Sequence, residues 1–239
     1  MRRMAARSIA DGRLRPIHYP TDSSLLWDTY RTLARCIEQV REIAPARVGD
    51  QRLLLKKVKR LQQKIARKAS KNTRAKEALK PLYGKLFGLV ENILQWSNEI
   101  AERLAQVSTQ PRYARIEQAT MEFCRKELIH YRGLGEQVLH QARRRILDEE
   151  TVPNEEKIFS IFEPHTELLK RGKAAQPIEF GHMIQIQQVE GKFITDYEVF
   201  ETKPVEHQLV QPALERHKKL FGKYPDQLAA DKGYYEHMK

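Results

Sequence analysis

The chain has 239 residues, of which 41% are hydrophobic and 31% charged, so it can form one large domain or two smaller ones. This composition excludes disorder for most of the chain, and no apolar run approaches the ~18 residues that a membrane span needs. The two cysteines lie in helical patterns without a Cys-x-x-Cys or Cys/His cluster. A zinc site or disulfide framework is therefore not expected. This cysteine usage fits a protein of the reducing cytoplasm. The basic N-terminus has no apolar segment behind it, so no secretory signal is expected.

The net charge of +12 is concentrated in a short part of the sequence. Residues 51–80 contain twelve Lys and Arg residues against a single acid, Glu77, which is a net charge of +11. A solvated helix face normally mixes both signs of charge, so a polyanion such as nucleic acid is the expected partner. The alternative of a plain solvated face stays open. The DNA-binding candidates in this window are Lys56, Lys57, Lys59, Arg60, Lys64, Arg67, Lys68 and Lys71.

Residues 1–16 look irregular, and residues 24–150 read as antiparallel helices joined by short loops. The first helix ends near Pro45. A helix of about thirty residues, some 45 Å long, is predicted over the basic window. Its narrow apolar seam would contain Leu54, Val58, Leu61, Ile65 and Ala69.

The last part of this helical segment is predicted to contain three more helices. One runs from Leu79 to Val107 at helical spacing, with Pro81 tolerable near its start. The next begins at Pro111 and is expected to break or bend at the glycines of 133–135. A final short helix follows over 138–147.

The pattern changes to strands after residue 152. Residues 157–162 are strand-like, and residues 177–189 alternate so that Ile184 and Ile186 are expected on a buried face. A turn at Gly191 leads into a second alternating strand, 193–200, which predicts a hairpin. A helix over 204–221 follows, with Gly222 as its C-cap. Its predicted apolar stripe contains Leu209, Val210, Ala213, Leu214, His217 and Leu220.

A short buried strand over 227–230 is predicted to end at Asp231, which indicates a mixed sheet. Functional groups in α/β folds often lie at the carboxyl ends of strands, although a turn aspartate has the same pattern. A single carboxylate cannot hold a pair of Mg²⁺ ions. Glu179, Asp196 and Glu198 lie on the predicted hairpin, where outward solvated positions explain them equally well.

Five segments resemble the DDE transposases of bacterial insertion sequences, and they occur in the order expected for that family. They are residues 17–26 (IHYPTDSSLL), 157–173 (KIFSIFEPHTELLKRGK), 177–182 (PIEFGH), 193–197 (FITDY) and 229–235 (AADKGYY). The resemblance implies an RNase H-like fold with the helical segment inserted after the first strand. It also implies metal-dependent DNA cleavage and joining at transposon ends.

In this resemblance Asp231 matches the second acid of the catalytic triad, and thereby a ligand of Mg²⁺ or Mn²⁺. The first acid is expected near Ile9, where the nearest candidate is Asp11 beside Gly12, a poor fit to a buried catalytic strand. The third is expected beyond Lys239. The chain therefore resembles a transposase truncated at both ends. Weak or absent metal binding and no autonomous activity are expected.

The predicted fold is α+β, a partial RNase H-like mixed sheet with a large all-helical insertion. Its predicted parts are 1–23, a remnant around the first core strand, 24–150, the basic helices, and 151–239, an incomplete α/β core. An exposed apolar sheet face is expected there. Arg171 and Lys173 are either DNA contacts or an ordinary basic turn.

The expected partners are DNA at transposon ends and a second copy or a full-length transposase, with no membrane. Two alternatives to a transposase fragment stay open. One is a non-enzymatic helical module that binds nucleic acid, including RNA. The other is an inhibitory partner of a full-length transposase.

Overall fold

The computed structural model describes residues 3–6, 20–69, 76–107, 115–170, 178–200, 204–230 and 234. The chain divides into two compact units. An α/β unit comprises Met1–His18 with His165–Lys239, and a helical unit comprises Tyr19–Pro164. The predicted α+β class is confirmed, since the described strands all lie in the first unit and the long helices in the second.

The helical unit contains five α-helices in its described residues: α1 (Asp22–Ile43), α2 (Pro45–Val48), α3 (Leu55–Ala69), α4 (Lys76–Val107) and α5 (Arg115–Ile146). Helix α1 begins at a capping box, in which Thr21 and Ser24 each bond the other's backbone N–H. It ends just before Pro45, because proline cannot continue the hydrogen-bond ladder. Helices α1, α4 and α5 contact one another, and α3 lies against α1 and α4.

The prediction of one thirty-residue basic helix is wrong. Residues 51–54 are not helical, and α3 has fifteen residues, about 22 Å in length. Only six residues separate α3 from α4, and the two helices share a groove, so they form an antiparallel hairpin. The predicted seam is present in part: Val58 and Ile65 are buried and Leu61 is partly buried, whereas Leu54 and Ala69 are exposed.

The predicted break at Gly133 and Gly135 is also wrong, because α5 continues through both to Ile146. Gly135 is buried, and a Cβ added there would lie 2.5 Å from Thr29 Cγ2 and 2.9 Å from Leu94 Cδ2. This glycine therefore permits close packing of α5 against α1 and α4 instead of ending the helix.

The α/β unit contains β1 (Arg3–Ala6), β2 (Glu167–Lys170), β3 (Ile178–Gly181), β4 (Met183–Val189), β5 (Phe193–Phe200), α6 (Val210–Phe221) and β6 (Gln227–Ala230). A four-stranded sheet has the order β5-β4-β1-β6, and β2 pairs with β3 separately. Strand β1 is antiparallel to β4 and parallel to β6. The predicted mixed sheet is therefore present.

Two predictions about the positions of strands are wrong. The local pattern predicts irregular structure over residues 1–16, yet β1 lies inside the sheet between β4 and β6. Both partners are far away along the chain, so a local pattern does not include them. Residues 157–162 form no strand, and the strand of this region is β2 instead.

The predicted hairpin of β4 and β5 is confirmed, with Gly191 and Lys192 both at positive φ in the turn. However, the sequence predicts the wrong buried face. Gln185 and Gln187 are 2% and 1% exposed, because their side chains bond the backbone of residues 209 and 213, at the start of α6.

The opposite, apolar face of the hairpin is largely uncovered. Tyr197 is 69% and Val199 52% exposed, so the expected exposed apolar sheet face is present on β5. These residues pair with Ile186 and Ile184 of β4, which are half-buried.

Helix α6 ends as predicted, with Gly222 in the left-handed conformation at φ 75°. Its predicted stripe is confirmed at Ala213 and His217, but Leu220 is exposed. Strand β6 is present, although the prediction that it is buried is wrong. All four of its residues are exposed, and among the described strands it lies at the edge of the sheet and pairs with β1 alone.

Candidate nucleic-acid interface

Helix α3 carries a concentrated positive charge on one face. Seven of its fifteen residues are Lys or Arg and none is acidic. Successive helical residues turn by about 100°, so all of these cations except Lys59 fall within an arc of about 120°. Val58 and Ile65 point away from this arc into the core. The residues of this basic face are Lys56, Lys57, Arg60, Lys64, Arg67 and Lys68.

Five of the six cations on the basic face form no salt bridge with any residue that the structure describes. They are Lys56, Lys57, Arg60, Lys64 and Lys68, and all five are exposed. Seven cations within about 22 Å repel one another, so this arrangement favours a counter-charge supplied from outside the chain.

The arginines at the end of α5 show the contrast. Arg143 pairs with Glu91, and Arg144 Nη1 lies 2.7 Å from Glu156 Oε2. Arg145 donates to both carboxylate oxygens of Asp22 at 2.9 Å. These three cations are neutralised within the fold, whereas five of the six cations of the basic face form no salt bridge with a described residue.

The basic face borders an open groove of about 680 Å³ between α3 and α4. Lys57, Arg60 and Lys64 line its α3 wall, and Lys85 lines the α4 wall. The remaining lining residues are Leu61, Gly88, Leu89, Glu91 and Asn92. We call this feature the α3–α4 groove.

A second, smaller hollow of about 370 Å³ lies between α1 and α3. Its lining residues are Trp27, Leu55, Lys56, Lys59 and Arg60. The Lys59 ammonium lies 5.1 Å from the centroid of the Trp27 ring and 3.3 Å from the Gln62 amide oxygen. Lys59 is thus held by a cation–π contact and a hydrogen bond, which leaves it less available to a ligand than its neighbours.

The structure therefore brings most of the predicted DNA-binding residues together on α3. Lys71, Arg171 and Lys173 lie outside the described residues. Lys85 and Trp27 are among the lining residues that were not predicted. Lys85 lies outside the basic window of residues 51–80, and Trp27 has the spacing of a core residue of α1. The sequence near each residue therefore does not indicate that it lines a surface beside α3.

The predicted catalytic residue Asp231 also lies outside the described residues. The strand that precedes it in the sequence, β6, ends at Ala230, and this residue is the register partner of Ala6 at the end of β1. Among the described residues, no three His, Cys, Asp or Glu side chains form a group suited to a metal ion. The described side chains therefore do not fit the implied Mg²⁺ or Mn²⁺ pair.

Two acids of the hairpin, Asp196 and Glu198, are partly exposed and have a structural role, since both pair with one arginine. Arg216 of α6 donates from Nε to Asp196 at 2.6 Å, and its Nη1 lies 2.7 Å from Glu198 Oε2. Its Nη2 donates to the Gln185 amide oxygen at 2.8 Å. This network ties α6 to the sheet.

Asp22, which lies in the first of the transposase-like segments, is also structural. Burial raises the pKa of this carboxyl, and the Arg145 guanidinium opposes the rise. Its side chain is 6% exposed and lies at the start of α1, where it joins α1 to the end of α5.

Comparisons with protein-family models, curated proteins and solved structures find no match for this chain. The likeness to DDE transposases therefore rests on the quoted sequence segments. In the described part of the chain, no helix has the length and apolar character needed to cross a membrane.

Proposed function

We propose that the protein binds DNA through the basic face of α3, and that it is a transposase-type protein without strand-cleaving activity of its own. The observation that carries this proposal is a set of five exposed cations within an arc of about 120° that form no salt bridge with a described residue, namely Lys56, Lys57, Arg60, Lys64 and Lys68. The basic face offers point charges and no arrangement suited to reading bases, so it fits contact with the phosphate backbone.

The topology of the α/β unit supports the transposase part of the proposal. Parallel, in-register pairing of β1 and β6 brings the carboxyl ends of both strands to the same edge of the sheet. An RNase H-like site needs acids after both strands. The sequence has Asp231 directly after β6, but Arg7, Ser8, Ile9 and Ala10 after β1. One carboxylate binds divalent ions weakly, which is the reason to propose an inactive protein.

A salt titration tests DNA binding. If about six cations contact phosphates, raising the salt from about 50 to about 200 mM lowers the affinity roughly 10³-fold. The affinity is measured by fluorescence anisotropy with a labelled duplex. A logarithmic slope near zero would exclude binding through the basic face.

Charge-removing variants locate the contact. Substituting Lys56, Arg60 and Lys64 together with Gln is expected to reduce the salt slope by about 3, since each lost phosphate contact contributes about 0.9. The control replaces the exposed Arg115, Lys126 and Lys223 with Gln, which removes the same charge elsewhere. Equal losses of slope in both triple variants would show a general effect of net charge and contradict the assignment.

A strand-transfer assay with Mg²⁺ or Mn²⁺ tests the proposed inactivity. No cleavage or joining of transposon-end DNA is expected from the whole chain. Metal-dependent activity that disappears in Asp231→Ala would show that the aspartate works without the partners described above.

A further inference from the structure

The α3–α4 groove combines charged walls with an apolar floor. Both walls carry exposed cations. The α3 wall has Lys57, Arg60 and Lys64, and the α4 wall has Lys85. Its floor includes Leu61 and Leu89, which are partly buried against the core. Among the described residues that line it, the only acid is Glu91, which is paired with Arg143. The groove therefore offers positive charge on both sides and an apolar surface between them.

Two glycines of α4 add an independent observation. Gly84 and Gly88 lie in the helix interior, where glycine costs about 0.5–1 kcal/mol relative to alanine. A Cβ added at either position would meet nothing within 4 Å, so packing inside the chain does not require glycine there. Gly88 lines the groove, where its missing side chain leaves the floor open to the close approach of another backbone.

The width of the groove selects its ligand. Packed helix axes lie about 8–10 Å apart, so the space between α3 and α4 is a furrow and not a cleft for a double helix. The major groove of B-DNA, about 12 Å wide, accepts one helix. Because α4 lies beside α3, a duplex cannot receive α3 in its major groove from the side of the α3–α4 groove. Single-strand binding instead combines a cationic groove along the backbone with surfaces on which bases rest.

We propose that the α3–α4 groove binds one strand of single-stranded nucleic acid. The phosphates of the strand contact Lys57, Arg60 and Lys64 on one wall and Lys85 on the other. Its sugar and base faces lie on Leu61 and Leu89. This assignment rests on the proposed function, that α3 binds nucleic acid, and specifies which form of nucleic acid occupies this side of the helix.

The test compares Gly88→Leu with Gly133→Leu in the whole chain. Both glycines lie in helix interiors with open space above them, but only Gly88 lines the groove. The probes are a labelled 12-nucleotide DNA strand, the RNA strand of the same sequence and the 12-base-pair duplex. Fluorescence anisotropy gives each affinity, and thermal melting by circular dichroism verifies that each variant is folded.

Gly88→Leu is expected to fill the groove and lower the affinity for the single strand at least tenfold, with less than twofold change for the duplex. Gly133→Leu should change neither affinity. Lys85→Gln should lower single-strand affinity several-fold, whereas the same change at the exposed Lys126 should not. The tighter of the DNA and RNA strands identifies the source of the ligand.

Single-strand affinity within twofold of the wild type in both Gly88→Leu and Lys85→Gln would overturn the groove assignment. If duplex binding then keeps its salt dependence, the proposed function still stands. Equal losses on strand and duplex would overturn the choice of a single strand. If the wild type binds none of the three probes, both proposals fail.

Discussion

Cys36 and Cys124 lie buried in the helical unit, each 4% exposed. Burial raises the pKa of both thiols, that of Cys36 to about 11, and the nearby Glu127 carboxylate adds to the rise. Since the thiolate is the reactive form, these thiols are inert in the folded chain. Both side chains pack in the hydrophobic core of the helical unit.

The raised pKa of Cys36 predicts a loss of stability at alkaline pH. The unfolded thiol ionises near pH 9 and the folded thiol near 11, so its contribution is present below about 9 and lost as the pH rises through that interval. By about pH 10.5 the loss reaches about 2 kcal/mol. Urea unfolding near pH 9 and near pH 11 measures the free energy of unfolding, which should fall less between these two values in Cys36→Ala than in the wild type.

The two proteins are compared by how much the free energy of unfolding changes with pH. Its absolute value is lower in Cys36→Ala at every pH, because the alanine leaves a cavity. Tyr83, whose pKa burial raises to about 12, is expected to cause a further fall that both proteins share. An equal alkaline fall in the two proteins would mean that the Cys36 thiol ionises as readily in the folded state as in the unfolded state.

At the scale of elements, the packing of α5 depends on Gly135. Gly135→Ala is expected to destabilise the helical unit by about 1–3 kcal/mol, because the new methyl group overlaps Thr29 and Leu94. Gly133→Ala, two residues away with nothing within 4 Å, should instead stabilise by about 0.5–1 kcal/mol. Chemical unfolding of the two variants measures both effects. Similar results for them would contradict the close approach of α5 to α1.

The attachment of α6 to the hairpin depends on Arg216. Arg216→Met removes a partner from Asp196, Glu198 and Gln185 and is expected to cost about 1–3 kcal/mol in the α/β unit. Hydrogen exchange should then be faster for the amides of β4 and β5.

The matched control is Arg125→Met, which breaks an i,i+3 pair with Glu122 on one helix and should cost about 0.2–0.5 kcal/mol. Unchanged protection of β4 and β5 in Arg216→Met would mean that apolar packing alone holds α6 in place.

At the scale of the whole molecule, the helical unit and the α/β unit each have their own packed elements. All described residues of the basic face belong to the helical unit. A fragment comprising Tyr19–Pro164 is therefore expected to fold and to bind DNA with nearly the salt slope of the whole chain. Circular dichroism and anisotropy measure this, and a helical fragment with no affinity would place the binding residues in the α/β unit.

Local patterns predicted much of the fold. The helical spacing of α1, the hairpin turn at Gly191 and the cap at Gly222 depend on neighbours a few residues away, and all three are confirmed. The local pattern did not predict strand β1, although the resemblance implies a first core strand near it, because four residues form a strand there only through pairing with β4 and β6.

The buried face of β4 was predicted wrongly for a related reason. Alternation shows that a strand has two unlike faces, and apolarity usually identifies the buried one. Here α6 covers Gln185 and Gln187, whose amides find partners in Arg216, Asp196 and the backbone. Burial of polar side chains requires such partners, and they come from elements that a local pattern does not include.

The sequence by itself determined that residues 51–80 carry twelve basic residues against one acid, because the charge of a segment is a local property. It also determined, through its transposase-like segments, which single aspartate to expect after β6. Only the tertiary structure decided that α3 folds back on α4, that Lys85 faces the basic face across a groove, and that β1 lies beside β6. These depend on which surfaces pack together, and long-range packing is set by the whole chain.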